Sequence, residues 1–213
     1  MLCMHRGFSL AGLRANCAAL FFMFSMLGLN GCSAVVGAGA GVGMAAVQER
    51  GIKVRAQDMR IEALLIEKFL NAGLNLTATI GAEVYEGRVL LTGATKNIKL
   101  SDNAVKLAWQ VDGVRDVMNE IQLEKKATAT DFAKDAWITT QLKSKLTFDR
   151  NVMAINYVVE TVKGTVYLIG IAQNQIELDR VMAHSSAIKY VTNVISHVRL
   201  KKKSYEVSSV LRK

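Results

Sequence analysis

The chain has 213 residues, 51% of them apolar, with three cysteines and no proline, and sets 27 lysines and arginines against 18 acidic residues for a formal net charge of +9. That is enough chain to bury ordinary apolar cores, which excludes a small scaffold held together by a disulfide framework. A basic balance of this size points to anionic partners.

Arg6 and Arg14 flank a start without acidic residues, and residues 15–29 form a nearly unbroken apolar run. This is the layout of a secretory signal. A permanent span needs roughly 20 apolar residues, so the run is short for a membrane helix. It ends in "LGLNGCS", residues 27–33, and Leu29, Gly31 and Cys32 resemble a bacterial lipobox. In that reading the signal covers 1–31, cleavage falls between Gly31 and Cys32, and the Cys32 thiol is lipidated; the other reading is an incidental cysteine behind an uncleaved anchor. Cys3 and Cys17 leave with the signal, so the mature chain holds Cys32 alone and forms no disulfide. Loss of Arg6 and Arg14 leaves a net charge of +7. Ser33 stands where an aspartate tends to retain similar lipoproteins at the inner membrane, so the expected location is the outer membrane, lipid-anchored and facing the periplasm.

Residues 32–57 read as a tether in which Gly37, Gly39, Gly41 and Gly43 alternate with alanine and valine. No Lys-Ser or Lys-Thr follows these glycines, so they do not make a phosphate-cradling loop. Packing of the small residues against another chain or lipid stays open.

The rest of the chain repeats itself. "GRVLLTGATKNIKLSDNAVKLAWQVDGVRDVMNEIQLEKK", residues 87–126, aligns without a gap on "GTVYLIGIAQNQIELDRVMAHSSAIKYVTNVISHVRLKKK", residues 164–203, pairing Gly87 with Gly164, Leu91 with Leu168 and Asp102 with Asp179. Each unit opens with an amphipathic helix, expected over 58–71 and 131–147, with Ile61, Leu65 and Phe69 or Ile138, Leu142 and Leu146 as its apolar stripe. A strand follows, expected over 154–159 in the second unit. Glu86-Gly87 and Lys163-Gly164 then turn the chain back as an antiparallel hairpin, with return strands at 89–91 and 166–169. A second helix is expected over 97–110 and 174–188, and a last strand over 114–123 and 191–200. The order is αββαβ, an α+β unit in which a three-stranded mixed sheet carries two helices on one face.

The hairpin pattern Gly-x-Val-x-Leu-x-Gly, the following helix, "DGVRDVMNEI" at 112–121 and "DAWITTQLKSKL" at 135–146 resemble the BON-domain family, and within it the outer-membrane lipoproteins with two BON domains. On this resemblance the chain divides into signal 1–31, tether 32–57, BON domains at 58–126 and 131–203, and a tail at 204–213. It implies a non-enzymatic protein that binds anionic phospholipid through its second domain and supports outer-membrane integrity, near the division site in proteins of this kind. Gly113 of the first unit is matched by Tyr190 in the second, and tyrosine takes a positive φ only at a cost, so the turn there is expected to differ in shape.

A catalytic set is scarce. His5 leaves with the signal, His184 sits at helical spacing from Val181 and Ile188, and His197 falls in a strand beside Val198. Glu177 and Asp179 are expected on a solvated helix face. No metal or cofactor is expected. For the positive charge, nucleic acid is not the partner of a secreted lipoprotein, whereas phosphatidylglycerol and cardiolipin lie close by; each basic group near an anionic bilayer contributes about 1 kcal/mol. The first helix of the second unit places Lys134, Trp137, Gln141 and Lys145 beside its core stripe, with Lys143 flanking them. An indole among lysines suits the headgroup region. In the first unit the expected counterpart of Trp137 is Ile61. The other reading is that Trp137 packs against the first domain or an envelope protein partner while the lysines merely solvate the face.

Overall fold

A computed structural model of the chain describes residues 48–73 and 79–202. The signal-like segment, Cys32, the tether as far as residue 47 and the tail from residue 203 lie outside the described residues. The first repeat forms helix α1 (Gly51–Asn71), strands β1 (Ile80–Tyr85) and β2 (Arg88–Ala94), helix α2 (Ile98–Trp109) and strand β3 (Asp116–Gln122). The second forms α3 (Ala129–Phe148), a 3-10 turn (Ala154–Asn156), β4 (Tyr157–Val162), β5 (Thr165–Ala172), α4 (Gln175–Ser186) and β6 (Asn193–Leu200). The hairpin strands pair antiparallel and the last strand joins the central one in parallel, giving the mixed orders β1-β2-β3 and β4-β5-β6. The αββαβ expectation holds in both repeats.

Residues four apart on a helix share a face. Ile61, Leu65 and Phe69 of α1 therefore reach one core with Val84, Val89, Leu91, Ala104 and Ala108. Ile138, Leu142 and Leu146 of α3 do the same with Val159, Val166, Leu168 and Val181. Asn97 and Asn174, 77 residues apart, cap α2 and α4 by accepting from Lys99 N–H and Glu177 N–H.

Both hairpins close through two residues at positive φ: Glu86 and Gly87 at 54° and 72°, Lys163 and Gly164 at 50° and 78°. This is the tight turn whose twist suits two-residue hairpins. Its amides need acceptors, and each first helix supplies one. Asp58 accepts from Glu86 N–H at 2.9 Å and Gly87 N–H at 2.8 Å; Asp135 accepts from Lys163 N–H at 2.7 Å and Gly164 N–H at 2.9 Å. Asp58 also pairs with the buried Arg50 at 2.7 Å, whose guanidinium lies over the Tyr85 ring and donates to Val84 O.

The structure corrects several boundaries. Helix α1 begins at Gly51, ahead of the expected residue 58, because the segment before it is anchored: Gln48 donates to Ile155 O, Glu49 N–H to Asn156 Oδ1, and Arg50 reaches Asp58. Residues 154–156, expected to open the strand, form a 3-10 turn, since Asn156 turns its N–H back to Met153 O while its side chain is buried. The last strands start at Asp116 and Asn193, because Val114 and Val191 close turns onto Val111 O and Ile188 O. Glu177 is buried, not solvated, and its carboxylate accepts from Tyr157 Oη, Met153 N–H and Gln173 N–H.

The sheet faces away from the helices pack on each other. Tyr85, Leu90 and Met118 of the first sheet meet Tyr167, Ile169 and Ile171 of the second, with Val158, Val162 and Ile195 at the margin. The layers run helices, sheet, sheet, helices. This explains the apolar runs of β2 and β5, which are buried on both faces. Polar pairs ring the cluster: Glu120 with His197 Nε2 at 2.8 Å, Arg199 with Glu86, Lys163 with Glu124, and Gln122 Nε2 donating to Val162 O. The three apolar clusters all draw on residues between 61 and 198, so a fragment starting at Ser33 keeps them whole.

Candidate functional site

Helix α3 is fixed at its start by a capping box: the Thr128 hydroxyl accepts from Asp131 N–H, and the Asp131 carboxylate accepts from Thr128 N–H. Those hydrogen bonds hold the Asp131 carboxyl below the usual carboxylate range. Asp135, Ile138, Leu142 and Leu146 bury one side of the helix. A neighbouring face stays open, with Lys134, Lys145 and Trp137 exposed and Gln141 half-buried. Trp137 keeps 43% of its surface. Phe148, eleven residues further on, falls on this same side at 100° per residue and is 82% exposed. The sequence reading missed it, although the i+11 spacing that links Lys134 to Lys145 also links Trp137 to Phe148.

Trp137 does not enter the cluster between the two sheets. Its ring meets Tyr190 of its own domain edge-on, with centroids 5.8 Å apart. The ammonium groups of Lys189 and Lys134 lie 4.7 Å and 5.9 Å from the centre of the Tyr190 ring. Tyr190 is half exposed and stands in the turn between α4 and β6. That turn has the same shape in both repeats, contrary to expectation. Gly113 has φ 95° and Tyr190 φ 70°, and each turn is closed by a hydrogen bond to the hairpin glycine, Arg115 N–H to Gly87 O at 2.8 Å or Thr192 N–H to Gly164 O at 2.9 Å. The backbone is kept, and the tyrosine takes on the left-handed conformation at a cost of about 1–2 kcal/mol.

The constant offset of 77 also corrects the counterpart of Trp137. Asp58 and Asp135 bind the same turn amides, and Ile61 and Ile138 fill the same buried place, so Trp137 corresponds to Arg60. The first domain carries an exposed arginine there and a glycine opposite.

Lys143 is set apart from the other candidates. At 100° per residue it lies about 120° around the helix from Trp137. Its charge acts instead on two carboxyl groups between the sheets, Glu83 of β1 and Glu160 of β4, which occupy equivalent places in the repeats. Burial raises both, and the Glu83 carboxyl, with the Glu160 charge beside it, is pushed up to about 7.

Both described histidines are held by a carboxylate: His184 Nε2 lies 2.7 Å from Asp149 Oδ2, and His197 Nε2 lies 2.8 Å from Glu120. Among the described residues no cluster of three or more His, Cys, Asp and Glu side chains is placed to hold a metal. No described helix is long and apolar enough to cross a membrane.

Comparison with known proteins agrees with this architecture. The BON-domain family model matches residues 47–125 and again 134–202. The chain is 34% identical over 176 residues to the outer membrane lipoprotein DolP of Haemophilus influenzae, covering 80% of this chain and 90% of that protein. It is 42% identical over 125 residues to an uncharacterised protein in the gshII 5′ region of Anaplasma centrale, covering 58% of this chain and 83% of that one. Over 100 residues it is 38% identical to a 21 kDa hemolysin of Actinobacillus pleuropneumoniae, covering 47% and 52% of the two chains. With two matches to one family model, each falling on one αββαβ unit, the chain belongs to the BON-domain family.

Proposed function

We propose that this chain is a non-enzymatic outer-membrane lipoprotein, anchored through Cys32 on the periplasmic side, whose second BON domain reads anionic phospholipid and so supports the integrity of the outer membrane, including at the division site. The observation that carries the proposal is the open face of α3, where Trp137 and Phe148 stand about 16 Å apart along the helix with Lys134 and Lys145 on the same side. An indole or phenyl ring gains by leaving water at the bilayer boundary, and an ammonium beside it gains from the anionic headgroup; the two contributions add only at a charged membrane surface. The likeness to DolP, an outer membrane lipoprotein by name, supports the same reading.

Co-sedimentation of the fragment from Ser33 with vesicles tests it. Phosphatidylglycerol- or cardiolipin-containing vesicles should take up the fragment, neutral phosphatidylcholine vesicles should not, and added salt should weaken the binding. Trp137→Ala, or Lys134→Glu with Lys145→Glu, should reduce affinity by about tenfold or more while leaving the thermal midpoint within a few degrees. Unchanged binding by these folded variants would overturn the assignment. Salt-insensitive capture of one envelope protein without vesicle binding would mark the face as a protein-interaction surface.

A further inference from the structure

We propose that Tyr190 is a positioning residue of the phospholipid-reading face, holding Trp137 upright and gathering Lys134 and Lys189 into one anion-facing unit. The inference rests on the membrane reading given above. Three independent observations meet at this residue. The backbone is in a left-handed conformation that the first repeat gives to glycine, so the large side chain is there despite the fold, not because of it. The ring is half exposed and adds nothing to the second core, whose buried members at this end are Val181 and Ile188. What the ring does touch is the indole of Trp137, while the two ammonium groups lie over it.

The chemistry follows from that arrangement. Without the phenol, the Trp137 indole, 43% exposed, would lose its aromatic neighbour. Edge-on packing against Tyr190 fixes one ring by the other. The face of the Tyr190 ring is electron-rich and attracts both amines, bringing together two like charges that would otherwise stand apart. Two ammonium groups beside a pair of amphipathic rings match a phosphodiester headgroup above its acyl chains. Asp131, the acidic neighbour in the first turn of α3, is tied into its capping box with Thr128 and does not compete for that place. The first domain, with Gly113 and Arg60 at the equivalent positions, has no such unit, so lipid reading is confined to the second repeat.

The test uses the fragment from Ser33 carrying Trp109→Phe, so that Trp137 alone reports by fluorescence, with vesicles of phosphatidylglycerol and phosphatidylcholine. Tyr190→Gly is expected to bind about tenfold more weakly, to lose most of the blue shift of Trp137 on binding, and to unfold at the same or a higher temperature than the parent. That combination, weaker function with undiminished stability, does not arise from a residue needed only for folding. Tyr190→Asn, also at ease at positive φ, should behave like the glycine variant, and Tyr190→Phe should keep both binding and blue shift. If the parent binds and both Tyr190→Gly and Tyr190→Asn bind equally well with the full blue shift, the positioning role is overturned while the membrane reading stands. If the parent itself binds no vesicle, both fall.

Discussion

Replacing Asp58 by alanine is expected to destabilise the first domain by about 4 kcal/mol. The carboxylate is 1% exposed and accepts from both amides of the Glu86-Gly87 turn and from Arg50, itself 6% exposed. Removing it leaves a buried guanidinium without a counter-charge and two turn amides without acceptors. Each loss is costly because the groups stay out of water. Asp135 makes the same two turn bonds in the second domain, but the residue matching Arg50 is Ala127, so no buried cation depends on it. Asp135→Ala should therefore cost only about 2 kcal/mol. Urea denaturation, followed by Trp109 in a Trp137→Phe background for the first domain and by Trp137 in a Trp109→Phe background for the second, measures the two separately. Equal losses would show that Arg50 contributes nothing. In the double variant Arg50→Met with Asp58→Asn, part of the loss should be recovered, since the stranded charge is gone.

Glu83→Gln is expected to stabilise the protein by about 2 kcal/mol at a pH near 8 and to leave it unchanged at a pH near 4. The Glu83 carboxyl is pushed up to about 7, first by burial between the sheets, then by Glu160 and Glu62, against the smaller opposing pull of Lys143 and Arg55. In the unfolded chain it titrates in the ordinary carboxylate range. Between those limits the folded protein holds a proton that the unfolded chain has released. The stability is thus fully present below the ordinary range and is lost as the pH rises through about 7. Glutamine imitates the protonated form at every pH, so the variant should show a flatter profile. Denaturant midpoints at three pH values check this; identical profiles for parent and variant would mean that Glu83 ionises freely between the sheets.

The architecture was legible because duplication offers two independent readings of each element. The gapless offset, the four-residue stripe of Ile61, Leu65 and Phe69, and the Glu86-Gly87 turn each follow from local chemistry, and all reappear 77 residues later. What escaped the sequence depended on distant partners. The 3-10 turn at Ala154–Asn156 runs straight into the apolar, β-branched strand that follows, and only the buried contacts of Asn156 and Glu177 bend it. Glu177 has the composition of a solvated helix residue, and the donors that bury it come from residues 153, 157 and 173. The double-sided apolar character of β2 and β5 announced a second partner layer without naming it, because periodicity records burial and not what does the burying. At the candidate site, Trp137 and its lysines were readable from helical spacing. Tyr190 was visible only as an irregular turn residue, since its place beside Trp137 is set by the packing of α4 and β6 against α3.

The joint between the two sheets has a further consequence, for how one chain treats another. Its polar rim is not symmetric in charge: Glu86 meets Arg199 at one end and Lys163 meets Glu124 at the other, with Glu120 against His197 between them. Because the two halves share one fold, a first domain could in principle mate with the first domain of a neighbouring molecule. That union would set Glu86 against Glu124 and Glu120 against its own copy, while two second domains would set Lys163 against Arg199. Like charges across a joint penalise the wrong match. Only a first half with a second half satisfies every position, and the short connector from residue 123 to residue 128 keeps its own partner at hand. The duplicated unit thus carries the selectivity of a heterodimer within a single polypeptide, which protects chains at high local concentration from pairing like halves.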